Sequence, residues 1–529
     1  MLLRSSLMAS VSLLASAGPA RAEGVVTSTA GVLATRTSSI ATRTATVALL
    51  EPTKTATRTA EAVSVREPNP ASSSDALLGF DLLGGHLTVP LMLSLSAEGT
   101  SSFPVDRDAN DFQPGLALSP LLRVGLEFKR TLSGMVSLFA EYEHDLPTGS
   151  WTSDTPVAGE GLPGSAPVAA QLRKAWVRVS YGPFLHGGAG ILTSHFGLGL
   201  VANDGAHAWT PGSARFLDPR AGDVVLRGFV STGPLTDAEL VIAMAVDNLQ
   251  RDDARVEGDS AYQFVASALV ELPVHAGMFF VHRRQTSEDG RYLDVSLFDL
   301  TARVSSGPLT LEVEAALATG GTSLGGSPEI PDSDVLQLGA VARASLSFST
   351  FGAVVDLVYA SGDPNAHDAH ATGFHADPSL ETGLLLFRSV QAAQTGRGYG
   401  TAADPMLVGA PPAGIERLPT RGGLTNALVA FPRLWVRPVA DLETYGGVLV
   451  AVAPEKTIDP FNTDLAGGPP RNALDRDPGS YLGTELDLGI RYSPKRLSFG
   501  AEGGVLFPGS AIGDSKPVFG GRLMAGCRL

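Results

Sequence analysis

Charged side chains recur at every second position along this sequence, and that spacing is the chemistry to explain first. Arg123, Glu127 and Lys129 alternate with Leu122, Val124, Leu126 and Phe128. Lys174, Trp176 and Arg178 alternate with Ala175, Val177 and Val179. Glu312 and Glu314 alternate with Leu311 and Val313, and Glu485, Asp487 and Arg491 with Leu486, Leu488 and Ile490. Arg227, Arg284, Arg433 and Arg437 fall on the same kind of polar face. Mixed signs on one face suit two roles: lining a path for a solute, or bracing a wall with ion pairs. The triplet Arg433, Trp435, Arg437 poses the same choice sharply. A Trp between two Arg suits an anionic or sugar-like solute, and it equally suits a local cation–π stack.

Two further constellations carry possible chemistry. His367, Asp368, His370, His375 and Asp377 follow Gly362-Asp363-Pro364. Imidazole and carboxylate at close spacing can bind Zn²⁺, but this spacing matches no sharp motif, and a solvated loop is the expectation. His144 with Asp145, and His195 with Asp204, could serve a hydrolase. No nucleophile signature accompanies them, so no enzyme activity is expected and no cofactor. Phosphate-binding glycine loops and nucleic-acid modules are absent from the sequence.

The elements that must position these residues read as long strands. Successive strand side chains point to opposite faces, so each stretch has one apolar and one polar side. Eighteen strands are predicted near 86–97, 119–129, 134–144, 171–181, 185–195, 223–232, 239–247, 260–272 and 274–285, then 292–304, 308–319, 333–347, 352–361, 426–437, 441–453, 481–492, 497–507 and 516–529. Many exceed the soluble mode of about five or six residues and approach the roughly nine to eleven of a membrane strand. Tight links alternate with long ones, the longest being Gly362–Thr425. That alternation is expected of an antiparallel up-and-down β-barrel in an outer membrane, with short turns inside and long loops outside. An even strand count returns both termini to one side.

Composition agrees. The 529 residues are 44% hydrophobic and 18% charged, with 60 Gly. Yet no apolar run of about eighteen residues follows the N-terminal segment, so transmembrane helices are not expected. Residues 1–22 read as a signal peptide, with Arg4, an apolar core from Leu7 to Ala17, and Ala20-Arg21-Ala22 for cleavage. Residues 23–75 are a Thr/Ala-rich tract in which Ala-Thr-Arg-Thr recurs at Ala34, Ala41 and Ala56. Its poverty in apolar side chains predicts a disordered periplasmic tether. The barrel takes 76–529. A single cysteine, Cys527, allows no internal disulfide. The net charge of −15 disfavours nucleic acid as a partner.

Three short motifs carry a family resemblance. Phe196-Gly197-Leu198-Gly199-Leu200 followed by Asn203-Asp204-Gly205 resembles outer-membrane porins of the alginate-export type. Tyr359-Ala360-Ser361-Gly362-Asp363 and the run Leu384 to Arg388 are similar to the same family. The resemblance implies a monomeric eighteen-stranded barrel with loops folded over or into the lumen, passing a polar or anionic solute. Two departures stand out. Gly187, Gly188, Ala189 and Gly190 occupy the strand where the family tends to carry a pore arginine, and the chain ends in Leu529 instead of an aromatic residue.

The sequence thus predicts a porin-like channel for polar or anionic small solutes, oligosaccharide or polysaccharide. Its expected partners are outer-membrane lipid, the barrel-assembly machinery and the solute. A non-conducting barrel plugged by its longest loop is the alternative, and a barrel hydrolase a third.

Overall fold

The computed structural model describes residues 78–529, apart from 109, 113–115, 148–150, 153–169, 207–208, 217–221, 253, 257, 272–273, 326–329, 366–367, 381, 410–413, 415–416, 460–468 and 514–515. The leader and the Thr/Ala tract, expected over 1–22 and 23–75, lie outside the described residues.

Eighteen strands form the wall. They are β1 (Leu91–Thr100), β2 (Ala117–Ser133), β3 (Val136–Pro147), β4 (Gln171–Tyr181), β5 (Leu185–Thr193) and β6 (Val224–Leu235). The wall continues through β7 (Leu240–Arg251), β8 (Ser260–Val270), β9 (His275–Thr286), β10 (Tyr292–Ser306), β11 (Leu309–Thr322) and β12 (Ser333–Ser347). It ends with β13 (Phe351–Ala360), β14 (Ala427–Val439), β15 (Leu442–Val452), β16 (Tyr481–Tyr492), β17 (Leu497–Pro508) and β18 (Val518–Arg528). Each pairs antiparallel with its neighbour in sequence, and β18 returns to β1 with Arg522 opposite Glu98 and Met524 opposite Ser96. The sheet is therefore closed, which satisfies every interior ladder group without water.

Outside, the wall is apolar. Val177, Val179, Met244, Val246, Leu434 and Leu488 are each about half to three-quarters exposed. In water such a continuous belt would drive association; against lipid tails it is at home. Exposed aromatic residues border it at both ends. Tyr181, Phe351, Tyr492 and Phe499 lie toward the short turns, while Tyr262, Tyr292, Tyr481 and Phe507 lie toward the long loops. On β16, Tyr481 and Tyr492 are separated by about 36 Å of strand, roughly 28 Å along the barrel axis at a tilt of about 40°. That matches the thickness of a membrane band between two interfacial girdles. The barrel spans a membrane.

All eighteen predicted strands are present, and the first differs in detail. The stretch near 86–97 is broken at Val89-Pro90, because Pro90 has no N–H to give to a ladder. Gly85–Thr88 instead pairs with Gly79–Leu82 and with the lower end of β2, His86 lying opposite Lys129. The wall strand proper starts at Leu91. The long connection between β13 and β14 is also more than a loop. It holds a π-helical turn, Leu386–Gln391, running into α1 (Ala392–Ala402) and then a short turn α2 (Pro405–Val408).

Replacing Leu488, mid-strand on the outer face, by Arg should cost about 2–4 kcal/mol of folding free energy in lipid vesicles. Urea titration of refolded protein measures this; a change within about 0.5 kcal/mol, as at a watery surface, would contradict the membrane assignment.

Candidate functional site

The lumen is built from the inward parity of the strands, and its charges meet across neighbouring strands. Arg123 grips Asp145 with two hydrogen bonds of 2.6 and 2.8 Å. Arg227 grips Asp247 in the same way at 2.7 and 2.8 Å. Arg343 grips Asp356 at 2.7 and 3.1 Å. In each case the partners stand directly opposite in register. Planar guanidinium and carboxylate match such bidentate geometry, which makes these the strong members of the ion-pair class. Lys174 reaches Glu141 at 2.9 Å, and Trp176 donates its indole N–H to the same carboxylate. Arg178 lies over Phe139 and Trp176.

Two clusters gather guanidinium groups around one acid. Asp356 takes hydrogen bonds from both Arg343 and Arg433, with Arg215 of the β5–β6 loop within electrostatic reach. Glu502 takes them from Arg491, at 2.7 Å, and from Arg522. A strap of the β5–β6 loop joins the clusters: Arg433 donates to the carbonyl of Ala214 and Arg522 to that of Phe216. Phe216 stacks on Phe431 of the wall and meets the Tyr445 ring at a tilt.

Two long loops descend into the lumen, and each sits on one wall carboxylate. Glu314 of β11 accepts the backbone N–H groups of Leu198 and Leu200. Glu485 of β16 accepts those of Leu384, Leu385 and Leu386, the last two at 2.8 Å. Successive N–H groups converging on one anion form a nest. Each nest turns on a glycine of positive φ. Gly197 has φ 57°, and a Cβ there would lie 2.5 Å from a Glu314 oxygen; Gly383 has φ 73°, and a Cβ would lie 2.9 Å from one of Glu485. A side chain there meets both a strained backbone and the anchoring acid. The loops also touch each other, Asp377 N–H donating to Leu200 O at 2.9 Å.

A third loop, between β1 and β2, joins them from above. Asp106 accepts from Arg397 of α1 at 2.8 Å and from Asn110. Burial alone would raise the Asp106 pKa, but the hydrogen bonds from Asn110 and Arg397 outweigh it and hold the carboxyl below its ordinary value. A small cavity remains where the π-helical turn faces β1, β2 and β18, lined by Glu98, Thr100, Leu385, Arg388, Ser389 and Arg522. Arg388 and Glu98 bridge it at 3.0 Å.

Of the predicted lumen residues, Arg123, Lys174, Trp176, Arg178, Arg227, Arg433, Trp435, Arg437, Arg491, Glu312, Glu485 and Asp487 face inward. Arg284 does not. Its side chain is 75% exposed outside the barrel and pairs with Asp294 at 3.0 Å, while Arg283 points in and binds Asp252. The misreading has a physical cause: on β9 the inward face also carries Phe279 and Val281, which the in-folded loop covers, so polarity did not mark the lumen side. In the triplet, Arg433 lies over Phe431 and Arg437 over Trp435. Trp435 is 2% exposed, sealed in part by Gly212 and Gly352, and presents no open ring face.

The loop histidines separate. His370 is exposed on a short strand pairing with β12, and His375 is buried opposite Thr425. Asp368 caps its own turn through the N–H of His370. His367 lies outside the described residues, and among those described no three His, Cys, Asp or Glu gather as a metal site. His144 hydrogen-bonds Tyr142 on the outer side while Asp145 points inward to Arg123, so the two form no acid–base pair. Sequence reasoning passed over Arg173, Arg283 and Arg343. For Arg343 the signal was present, in its alternation with the small apolar Ala342 and Ala344, and Asp356 stands opposite it in register.

No protein-family model and no curated protein matches the chain. Among solved structures it is similar to Pseudomonas aeruginosa OccK9 (OpdG), at 13% identity and TM-score 0.49, over 84% of this chain and 98% of that one. It is also similar to a BenF-like porin from Pseudomonas fluorescens Pf-5, at 10% identity and TM-score 0.48, over 84% and 98%. Pseudomonas aeruginosa OccK2 (OpdF) in complex with glucuronate gives 10% identity and TM-score 0.46 over the same shares.

Changing Glu485 to Ala leaves three buried N–H groups without an acceptor, each costing about 1–3 kcal/mol. The loop should leave its seat and become cleavable by trypsin after Arg388 and Arg397, where the parent protein resists; equal resistance would contradict the clamp. The Asp106–Arg397 contact should be fully present above about pH 4, the unfolded Asp value, and be lost as pH falls through the depressed value in the folded state. Exchange of the Asn110 amide, which donates to Asp106, checks this: protection should fall on acidification in the parent and be pH-insensitive in Asp106→Asn.

Proposed function

We propose that this chain is an outer-membrane channel for passive passage of small polar solutes, with a preference for anions. The carrying observation is the reversal of surfaces: a closed barrel, apolar outside, whose inner wall is laced with guanidinium and carboxylate groups. An inner wall of that kind suits water and ions and has no use in a protein that merely packs a core. Preference for anions is supported by the two clusters, in which Arg215, Arg343 and Arg433 surround Asp356 while Arg491 and Arg522 surround Glu502. Grouped guanidinium charges in a low-dielectric wall raise the local concentration of anions.

The alginate-export-type resemblance supports the same solute class, polar or anionic, and two of its three motifs fall at the nests on Glu314 and Glu485. Arg123, Lys174, Arg178, Arg227, Arg433 and Arg491 are the proposed inner-wall residues of the solute path, together with Glu312; Glu485 and Asp487, expected on the same path, lie beneath the seated loop. The proposed setting is lipid of the outer membrane, reached through the barrel-assembly machinery, with the monomer as working unit and residues 23–75 as a periplasmic tether. No reaction is assigned to the lumen.

One observation favours a second reading, a barrel sealed by its own loops. Phe196, Leu200, Phe374, Leu386 and Phe387 of the two in-folded loops are buried against the wall.

Planar-bilayer recording of refolded protein separates the two. The channel reading expects unitary current steps, a reversal potential of anion-selective sign in a salt gradient, and a shift toward cations in Arg433→Gln/Arg522→Gln. Silence in the parent, with steps appearing once residues 378–421 are replaced by a short Gly/Ser linker, would establish the sealed barrel instead.

A further inference from the structure

The lipid-facing side of β9 and β10 carries a polar chain among apolar neighbours. His282 of β9 stands opposite Ser296 of β10, and Arg284 stands opposite Asp294. His282 Nδ1 lies 3.2 Å from Ser296 Oγ, and its Nε2 lies 3.5 Å from Asp294 Oδ1. The other oxygen of Asp294 is 3.0 Å from Arg284 Nε. All four side chains share the outward parity of their strands, and each is at least partly exposed. A hydroxyl, an imidazole and a carboxylate linked in that order form the constellation of a serine hydrolase, which is recognised by geometry and roles. The longer of the two imidazole contacts is of the kind that tightens once substrate is bound. No local motif announces the group, because its members meet only through strand register.

The surroundings suit a lipid. Along the same row, Val246 of β7 and Phe264 of β8 lead up to His282, while Thr319 of β11 and Leu336 of β12 follow Ser296. Toward the short turns, Phe280 and Phe298 meet ring to ring at 4.7 Å. Toward the long loops stand Arg284, Tyr262 opposite it, and Tyr292. Ser296 is four residues below Tyr292, which is about 10 Å beneath the aromatic girdle at a tilt of about 40°. A lipid of this leaflet sets its headgroup beside the arginine and tyrosines and its acyl chains over the phenylalanines. Its ester linkages then fall between them, at Ser296.

We propose that this outward face is a lipid esterase site, with Ser296 as nucleophile, His282 as general base and Asp294 positioning the imidazole. With the ring proton on Nε2, toward Asp294, Nδ1 takes the hydroxyl proton as Ser296 Oγ attacks the carbonyl carbon of an acyl ester. The ester C–O bond breaks, the leaving alkoxide takes that proton from His282, and the acyl group stays on Ser296. Water then repeats the sequence: it gives a proton to Nδ1, its oxygen joins the acyl carbon, and Ser296 leaves with the proton. The products are a fatty acid and the deacylated lipid. The wall N–H groups here are engaged in the ladder. Arg284, three-quarters exposed, is therefore the donor that meets the oxyanion. The site faces lipid and not the lumen, so it does not rest on the channel reading.

The test uses refolded protein in mixed lipid–detergent micelles and an alkyl fluorophosphonate, which bonds to an activated serine and spares resting hydroxyls. Peptide mass should place the adduct on Ser296, and Ser296→Ala should abolish it. His282→Asn should slow labelling by about a hundredfold or more. Asp294→Asn should slow it as well, and Asp294→Glu should restore part of the rate, which loss of a mere brace would not produce. Fatty-acid release from phospholipid in the same micelles should follow the same order. A parent unlabelled at Ser296, or release that persists in Ser296→Ala, overturns the inference. Neither outcome bears on conduction, which bilayer recording reads separately.

Discussion

The ladder between β18 and β1 is the contact on which the rest of the molecule depends. A membrane offers no water to an open sheet edge, so an unclosed wall would carry a column of unpaired backbone groups into hydrocarbon. Once Gly520 to Arg528 has paired with Met92 to Thr100, every strand has two neighbours and the inside is separated from the outside. From that point the alternation of side chains has one consequence everywhere. Even parity meets lipid and odd parity meets the lumen, or the reverse, strand by strand. The apolar belt, the two aromatic girdles and the inner charges are all results of this one topological fact.

The inner charges then face a problem of their own. Buried ions are costly unless paired, and removal of one partner costs more than the pair contributes. The wall answers with register: Arg123 with Asp145, Arg227 with Asp247 and Arg343 with Asp356 stand across from one another on adjacent strands. The loops are fixed by a different means. Glu314 and Glu485 collect backbone N–H groups, so what holds a loop is the shape of its turn and not its side chains. That explains the glycines at Gly197 and Gly383, where the turn must approach the acid closely. It also explains why the loops can carry apolar residues into the lumen without losing their footing.

The fold was legible in the sequence because a period of two over ten or so residues is a strong, repeated signal, and closure multiplies it. Eighteen strands could be placed before any geometry was known, with an error at Val89-Pro90 where a proline interrupts pairing. The inner site was legible in part. Parity identified Arg123, Arg227, Arg433 and Arg491, but failed at Arg283 and Arg284, where an in-folded loop makes the lumen side apolar and two adjacent arginines leave the choice open. Pairing was not legible: nothing in the sequence says that Asp145 belongs to Arg123 and not to His144, which a search for catalysis would join. The loop anchors were hidden for the same reason. Glu314 and Glu485 look like any other inward acid until the turns that seat on them are folded back.

The central claim is the assignment of solvent to the two faces, and bilayer-depth fluorescence quenching tests it directly. Trp176 and Trp435 are buried on the inner side of the wall, whereas Val246 stands in the outer belt with 63% exposure. In vesicles of brominated lipid the parent's emission from these residues should be almost unquenched, and Val246→Trp should add a strongly quenched component. Quenching of the native tryptophans to the same degree as the introduced one, or an introduced tryptophan that bromine does not reach, would contradict the account.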